Sequence, residues 1–219
     1  MSNTFTLKNK LIGCIERQYL TKMDDYLKPA IHFYKQGFEV LQVINKNSLI
    51  IKELKEICPN IQILAGGNIN LLKKASKYLE GQSDYIVVGR FLAKNPDLIE
   101  DWVRLFGQHL IVSVDDKGGV LTNNGNVLTR DYAKLLVKNK VKNVIYVSEN
   151  TKLVGGINLD GFKIVRDILK NAIVIYSGGV SSLDDLRILK KAGADSVIIG
   201  TALYNKKFKY EDAKEAFCH

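Results

Sequence analysis

Two glycine-rich segments and two carboxylates are the residues of this chain whose type and spacing suit chemistry. Ile63-Leu64-Ala65-Gly66-Gly67 is matched, about half the chain later, by Ile175-Tyr176-Ser177-Gly178-Gly179. Downstream of each, Asp84-Tyr85-Ile86-Val87-Val88-Gly89 is matched by Asp195-Ser196-Val197-Ile198-Ile199-Gly200. Every one of these glycines follows an apolar run and precedes a helix-like stretch. Glycine lets backbone amides come close to a ligand, and amides at a helix N-terminus attract phosphate. The device occurs twice, which implies a ligand with two phosphates; the plainer alternative is that the glycines only end strands before helices. Arg90, directly after Gly89, either adds bidentate contacts to a phosphate or plugs the site. Glu16 follows Gly13-Cys14-Ile15 and Asp115 follows Ser113-Val114, in corresponding places of the two halves. Two carboxyl groups facing each other across a pocket suit proton transfer, one donating and one accepting. Alternatively, each caps the following helix or pairs with Arg17 or Lys117. Asp116 is expected to point outward by strand alternation.

These residues need elements to position them, and the sequence supplies an alternation. Short β-branched runs at Leu11–Ile15, Val40–Ile44, Ile61–Leu64, Tyr85–Val88, Leu110–Val114, Asn143–Val147, Ala172–Tyr176 and Ser196–Ile199 read as strands buried on both faces, the mark of a parallel sheet. Between them lie amphipathic stretches at Asp24–Gln36, Ser48–Ile57, Leu71–Leu79, Pro96–Phe106, Arg130–Asn139, Leu159–Lys170 and Leu183–Ala192, with a last one at Tyr210–Phe217. Eight strand–helix units predict an α/β fold of the (β/α)8 TIM-barrel type, built as a half-barrel repeat, in which catalytic groups sit at the C-terminal ends of the strands. Lys117–Val127, with Gly118-Gly119 and Asn123-Asn124-Gly125, reads as an added hairpin. No linker-like segment divides residues 1–219, so one domain is expected.

Composition excludes several classes. With 219 residues, 46% hydrophobic and 25% charged, the chain can bury a core without staples. Its apolar runs fall far short of the roughly 20 residues of a membrane span, and no apolar signal core opens the chain, so a cytoplasmic protein with no membrane partner is expected. Cys14, Cys58 and Cys218 are odd in number and lack metal-ligand spacing, so they are read as small buried thiols, with no metal site. The net charge of +9 comes from lysines scattered in pairs, such as Lys73-Lys74, Lys190-Lys191 and Lys206-Lys207. Nucleic-acid binding would want a basic stripe with interleaved aromatics; a solvated surface that also steers an anionic small molecule fits better. Trp102 is assigned to the core, and His32 and His109 to structural or surface roles.

The segment Ser177-Gly178-Gly179-Val180-Ser181-Ser182-Leu183-Asp184-Asp185-Leu186, with Ile199-Gly200-Thr201-Ala202-Leu203-Tyr204, resembles the last quarter of the histidine-biosynthesis HisA/HisF barrel family, closest to its isomerase branch. Ile86–Gly89 through Leu98, Val112–Gly119 and Leu11–Glu16 resemble its fourth, fifth and first units. The resemblance implies an aldose–ketose isomerase. Its substrate would be a bisphosphorylated imidazole carboxamide ribotide, rearranged from aminoaldose to aminoketose without metal or organic cofactor. By position it makes Glu16 the base and Asp115 the acid. Gly66, Gly67 and Gly89 would hold one phosphate, and Gly178, Gly179, Gly200 and Thr201 the other, with Gly155 and Gly156 in a substrate-contacting loop. The protein would act as a monomer or weak homodimer. The chain departs from the family pattern at Glu16, where Asp is usual, and at Asn45. Arg90 replaces a small hydroxyl residue, Val147-Ser148 replaces a Thr-Asp pair, and the loops after strands one and two are short. Two alternatives remain: a paralogue acting on another sugar phosphate, and a non-catalytic phosphate-ligand-binding barrel.

Overall fold

The computed structural model describes residues 6–15, 26–44, 48–122, 124–149 and 156–218. Glu16, Gly155 and the loop Asn45-Lys46-Asn47 lie outside them. Eight parallel strands form the ring: β1 (Lys10–Ile15), β2 (Val40–Ile44), β3 (Gln62–Gly66), β4 (Tyr85–Val88), β5 (Leu110–Lys117), β8 (Asn143–Ser148), β9 (Ile173–Ser177) and β10 (Ser196–Ile199). Neighbours pair in that order, β4 bonds to β5 and β10 bonds back to β1, so the sheet is closed and β1 lies opposite β5. The expected (β/α)8 barrel is therefore the fold. Two further strands, β6 (Val120–Leu121) and β7 (Asn124–Leu128), form the antiparallel hairpin foreseen after β5. Its first turn is made by Gly118 and Gly119, both at positive φ, as such tight turns require.

Strand alternation creates two cores. Ile12, Val40, Leu64, Ile111, Ile145 and Ile175 fill the barrel interior, and Leu7, just before β1, packs against the same cluster. The opposite faces of the strands pack against the helices α1 (Leu27–Lys35), α2 (Ser48–Ile57), α3 (Leu72–Glu80), α5 (Ile99–Phe106), α6 (Thr129–Lys138), α7 (Leu159–Ile168), α8 (Leu183–Lys191) and α10 (Tyr210–Cys218). The interior of the ring is thus a packed core, as barrels of this size demand. Trp102 is core, 2% exposed, while His32 and His109 are exposed. Cys14 and Cys58 are buried as expected, but Cys218 is only half-buried. Among the described residues, no helix is long and apolar enough to cross a membrane.

Two short helices, α4 (Arg90–Lys94) and α9 (Thr201–Tyr204), were not legible as periodic stretches because each is barely one turn long. They start at equivalent points, after Gly89 (φ −114°, ψ −96°) and Gly200 (φ −117°, ψ −93°). The half-barrel repeat is repeated in hydrogen bonds as well. Asp84 Oδ2 accepts from the Ile63 amide (2.7 Å) and pairs with Lys55 (2.7 Å). Asp195 Oδ2 accepts from the Val174 amide (2.9 Å) and pairs with Arg166 (2.8 Å). Each cation also reaches a backbone carbonyl, Ile61 O from Lys55 and Ala172 O from Arg166. These pairs tie strand to strand at the end of the barrel away from the glycines. Replacing Asp195 with alanine strands a half-buried guanidinium and an amide, and is expected to cost about 2–3 kcal/mol. A lowered urea midpoint with an unchanged slope would register it.

Candidate active site

A cavity of about 1040 Å³ opens at the C-terminal ends of the barrel strands. Of the residues singled out in the sequence, Gly66, Gly67, Gly89, Arg90, Asp115, Gly178, Gly179, Gly200 and Thr201 all line it. The first four come from β3, β4 and the residues just after them, the last four from the corresponding places after β9 and β10. In the strand order these two groups stand on opposite sides of the ring. Gly156 is described and packs against the second group, but it is not among the cavity's lining residues.

The two glycine pairs are related differently from the sequence match. Gly66 is the last residue of β3 and pairs with Val87, whereas Ser177 is the last residue of β9 and pairs with Ile198. Gly66 therefore corresponds to Ser177, Gly67 (φ +100°) to Gly178 (φ +104°), and Asn68 (φ +48°) to Gly179 (φ +75°). Pairing the segments glycine to glycine is one residue out of step with the strands, because the constraint common to both halves is a pair of positive-φ residues. Asparagine tolerates that region better than most residues, which is why Asn68 can stand in for glycine. Gly178 and Gly179 cannot carry side chains. A Cβ on Gly178 would lie 2.5 Å from Ser148 O, and one on Gly179 would overlap Gly156 O.

Asp115 ends the inward-facing row of β5. The Ser113 hydroxyl donates to its Oδ1. A Cβ on Gly89 would sit 3.0 Å from Ser113 Cβ and 3.3 Å from Asp115 Oδ2. A side chain at residue 89 would thus crowd Asp115 and the serine bonded to it. The Thr122 amide and hydroxyl bond to the Asp115 carbonyl (2.9 and 3.2 Å), so the hairpin fixes the acid's backbone. Tyr132 is buried on α6, its hydroxyl unpaired among the described residues, and its pKa is raised, first by burial and then by the Asp115 charge.

Several lining residues escaped the sequence reading. Lys94 and Asn205, at corresponding places one turn into the short helices, both face the cavity, as does Lys207. Lys207 is therefore not merely part of a solvated pair. With Arg90, these lysines give the mouth three exposed cations, none in an ion pair among the described residues. They would attract an anionic ligand. The repeat could have found Lys94 and Asn205, which keep the spacing of Gly89 and Gly200. Glu149, just past β8, adds a second carboxylate to the wall; no motif marks it. Gln42 and Ser113 are polar residues on inward rows, visible only once strand registers are known.

The fold and site define a (β/α)8 barrel with a ligand cavity at the C-terminal face, flanked by two related glycine turns. The chain belongs to the family of histidine biosynthesis proteins, whose family model matches residues 10–209. Among curated relatives, it is similar to a protein of Methanosarcina barkeri at 30% identity, covering 94% of this chain and 91% of the relative. It is 33% identical to one from Methanosphaera stadtmanae, covering 77% of this chain and 73% of the relative. A relative from Caldicellulosiruptor saccharolyticus is 30% identical, with 86% and 85% covered. All three are named 1-(5-phosphoribosyl)-5-((5-phosphoribosylamino)methylideneamino) imidazole-4-carboxamide isomerase.

Proposed function

We propose that this protein isomerises a bisphosphorylated imidazole carboxamide ribotide from aminoaldose to aminoketose in histidine biosynthesis, in the cytoplasm. One observation carries the reading: the two related glycine turns open onto one cavity from opposite sides, with a carboxylate between them. Three free thiols fit a reducing compartment.

In this reading Gly66, Gly67, Gly89 and Arg90 hold one phosphate, and Gly178, Gly179, Gly200 and Thr201 hold the other. Backbone amides supply donors on each side, and Arg90, Lys94 and Lys207 balance the charge. Holding both ends stretches the ligand across the barrel, so that the ribosylamino sugar, between one phosphate and the imidazole, lies beside Asp115. Asp115 gives a proton to the ring oxygen, the ring opens, and the nitrogen lone pair forms the Schiff base. Glu16, which follows β1 in the sequence, takes the C2 proton. The resulting enol loses its C2 hydroxyl proton and gains one at C1, which leaves the ketone at C2 and the amine on C1. No net proton is gained or lost. Gly155 and Gly156 belong to the loop that meets the substrate.

Expression in a histidine auxotroph lacking the isomerase tests this directly. Growth without histidine is the expected result. Failure to grow, with bisphosphate binding intact in the purified protein, would redirect the site to another sugar phosphate or to binding alone.

A further inference from the structure

Strand β5 carries two adjacent acids that face opposite ways. Asp115 lines the cavity; Asp116 points into the layer between barrel and helices and is 0% exposed. A carboxylate in such a place persists only when its oxygens are fully hydrogen-bonded. Oδ1 accepts from the Thr129 hydroxyl and from the Gly119 amide (3.1 Å). Oδ2 accepts from the Tyr146 hydroxyl (3.0 Å) and from Asn158 Nδ2 (3.0 Å). The four donors are neutral and come from four places: the hairpin turn, the start of α6, the middle of β8 and the residue capping α7.

Asn158 carries this network toward the cavity. Its Nδ2 also reaches Tyr146 Oη (2.9 Å), its Oδ1 accepts from the Gly161 amide (3.0 Å), and its own amide donates to the Tyr176 hydroxyl (2.8 Å). Burial raises the pKa of both phenols, with the Asp116 charge adding to the effect on Tyr146; the Tyr176 phenol is pushed up to about 12. Both therefore keep their protons at neutral pH. Two residues before Asn158, the Gly156 carbonyl occupies the space that a Gly179 Cβ would need. The backbone of the second glycine turn thus rests on backbone that the Asp116 network holds in place.

We propose that Asp116 is a positioning residue that locks the Gly178–Gly179 phosphate turn to the strand bearing the catalytic acid. The proposal rests on the two-phosphate reading above. Asparagine at this position would present an NH2 group to two donors on one side, and Asn158 could accept from it only by turning its amide over and giving up the bond from the Gly161 amide. The Gly156–Gly179 contact would then loosen, while the Gly66–Gly67 side, across the ring, would not feel the change.

The test is a titration of 15N-labelled protein with inorganic phosphate, following amide shifts at Gly178 and Gly200 against those at Gly67 and Gly89. Asp116→Asn is expected to weaken phosphate binding about tenfold at the first pair and less than twofold at the second, a loss of one charge-assisted hydrogen bond's worth of order. In turnover, KM should rise with little change in kcat. Tyr146→Phe, a gentler change on the same side of the carboxylate, should show the same one-sided loss if the asparagine variant does not fold. Thr129→Val breaks a bond on the other side, and should lower stability without favouring either turn. Equal weakening of both turns, or of neither, in the Asp116→Asn and Tyr146→Phe proteins overturns the proposal. A one-sided loss in a protein that does not isomerise the ribotide upholds it and rejects only the assigned reaction. A parent protein whose Gly178 and Gly200 amides ignore phosphate removes that binding site and this coupling together.

Discussion

Asp115→Asn is expected to lower kcat by about two to four orders of magnitude, the usual contribution of a positioned proton donor, while KM stays within a few-fold. The substitution is isosteric, and the Ser113 hydroxyl that donates to Oδ1 can donate to the amide oxygen in the same place. The Thr122 contacts are to the Asp115 carbonyl and do not depend on the side chain. Folding and phosphate binding should therefore survive, and the loss should fall on the transition state alone. Steady-state kinetics of the purified variant, with inorganic phosphate binding as a control, would measure it. Glu16→Gln should give a comparable fall. Near-parental turnover in the Asp115 variant would hand the acid's task to another group, and Glu149 is the remaining carboxylate among the described residues of the cavity wall.

The barrel was legible in the sequence because the forces that set it act locally. Eight runs buried on both faces and eight amphipathic partners depend on hydrophobic periodicity, so the topology could be read before any coordinate. The runs Val40–Ile44, Tyr85–Val88 and Ser196–Ile199 match their strands end to end. The single-turn helices α4 and α9 could not be read that way, since five and four residues carry no period. They are set by the glycine before them and by the strand ends they cover. The carboxylate Asp115 was visible because strand ends in this fold carry chemistry. The cavity roles of Lys94, Lys207 and Glu149 depend on where irregular connections turn, and no residue type announces that. The glycine register shows the same limit from the other side. The repeated Gly-Gly motif points to Gly66-Gly67 and Gly178-Gly179 as equivalent, but strand pairing makes Asn68 the counterpart of Gly179 in the other half.

That corrected equivalence yields a sharp contrast between the two halves. Gly179→Ala should be among the most damaging single methyl additions in the chain. The residue sits at φ +75°, where a Cβ is strained, and the added methyl would meet the Gly156 carbonyl at less than 3.0 Å. Backbone must move to admit it, and that backbone is held by Asn158 and, through it, by Asp116. Strain and overpacking together should cost about 2–4 kcal/mol of stability. A displaced turn should also forfeit one or two charge-assisted bonds to phosphate, raising KM about 10- to 100-fold. Asn68→Gly alters the corresponding position in the other half. There a side chain is already accommodated at φ +48°, so removing it should change stability by less than about 1 kcal/mol and KM only modestly. Thermal denaturation and kinetics of the two variants side by side would read the difference. If the two substitutions had equal effects, crowding by Gly156 would not be what makes glycine necessary at 179, and the halves would be alike in tolerance as well as in topology.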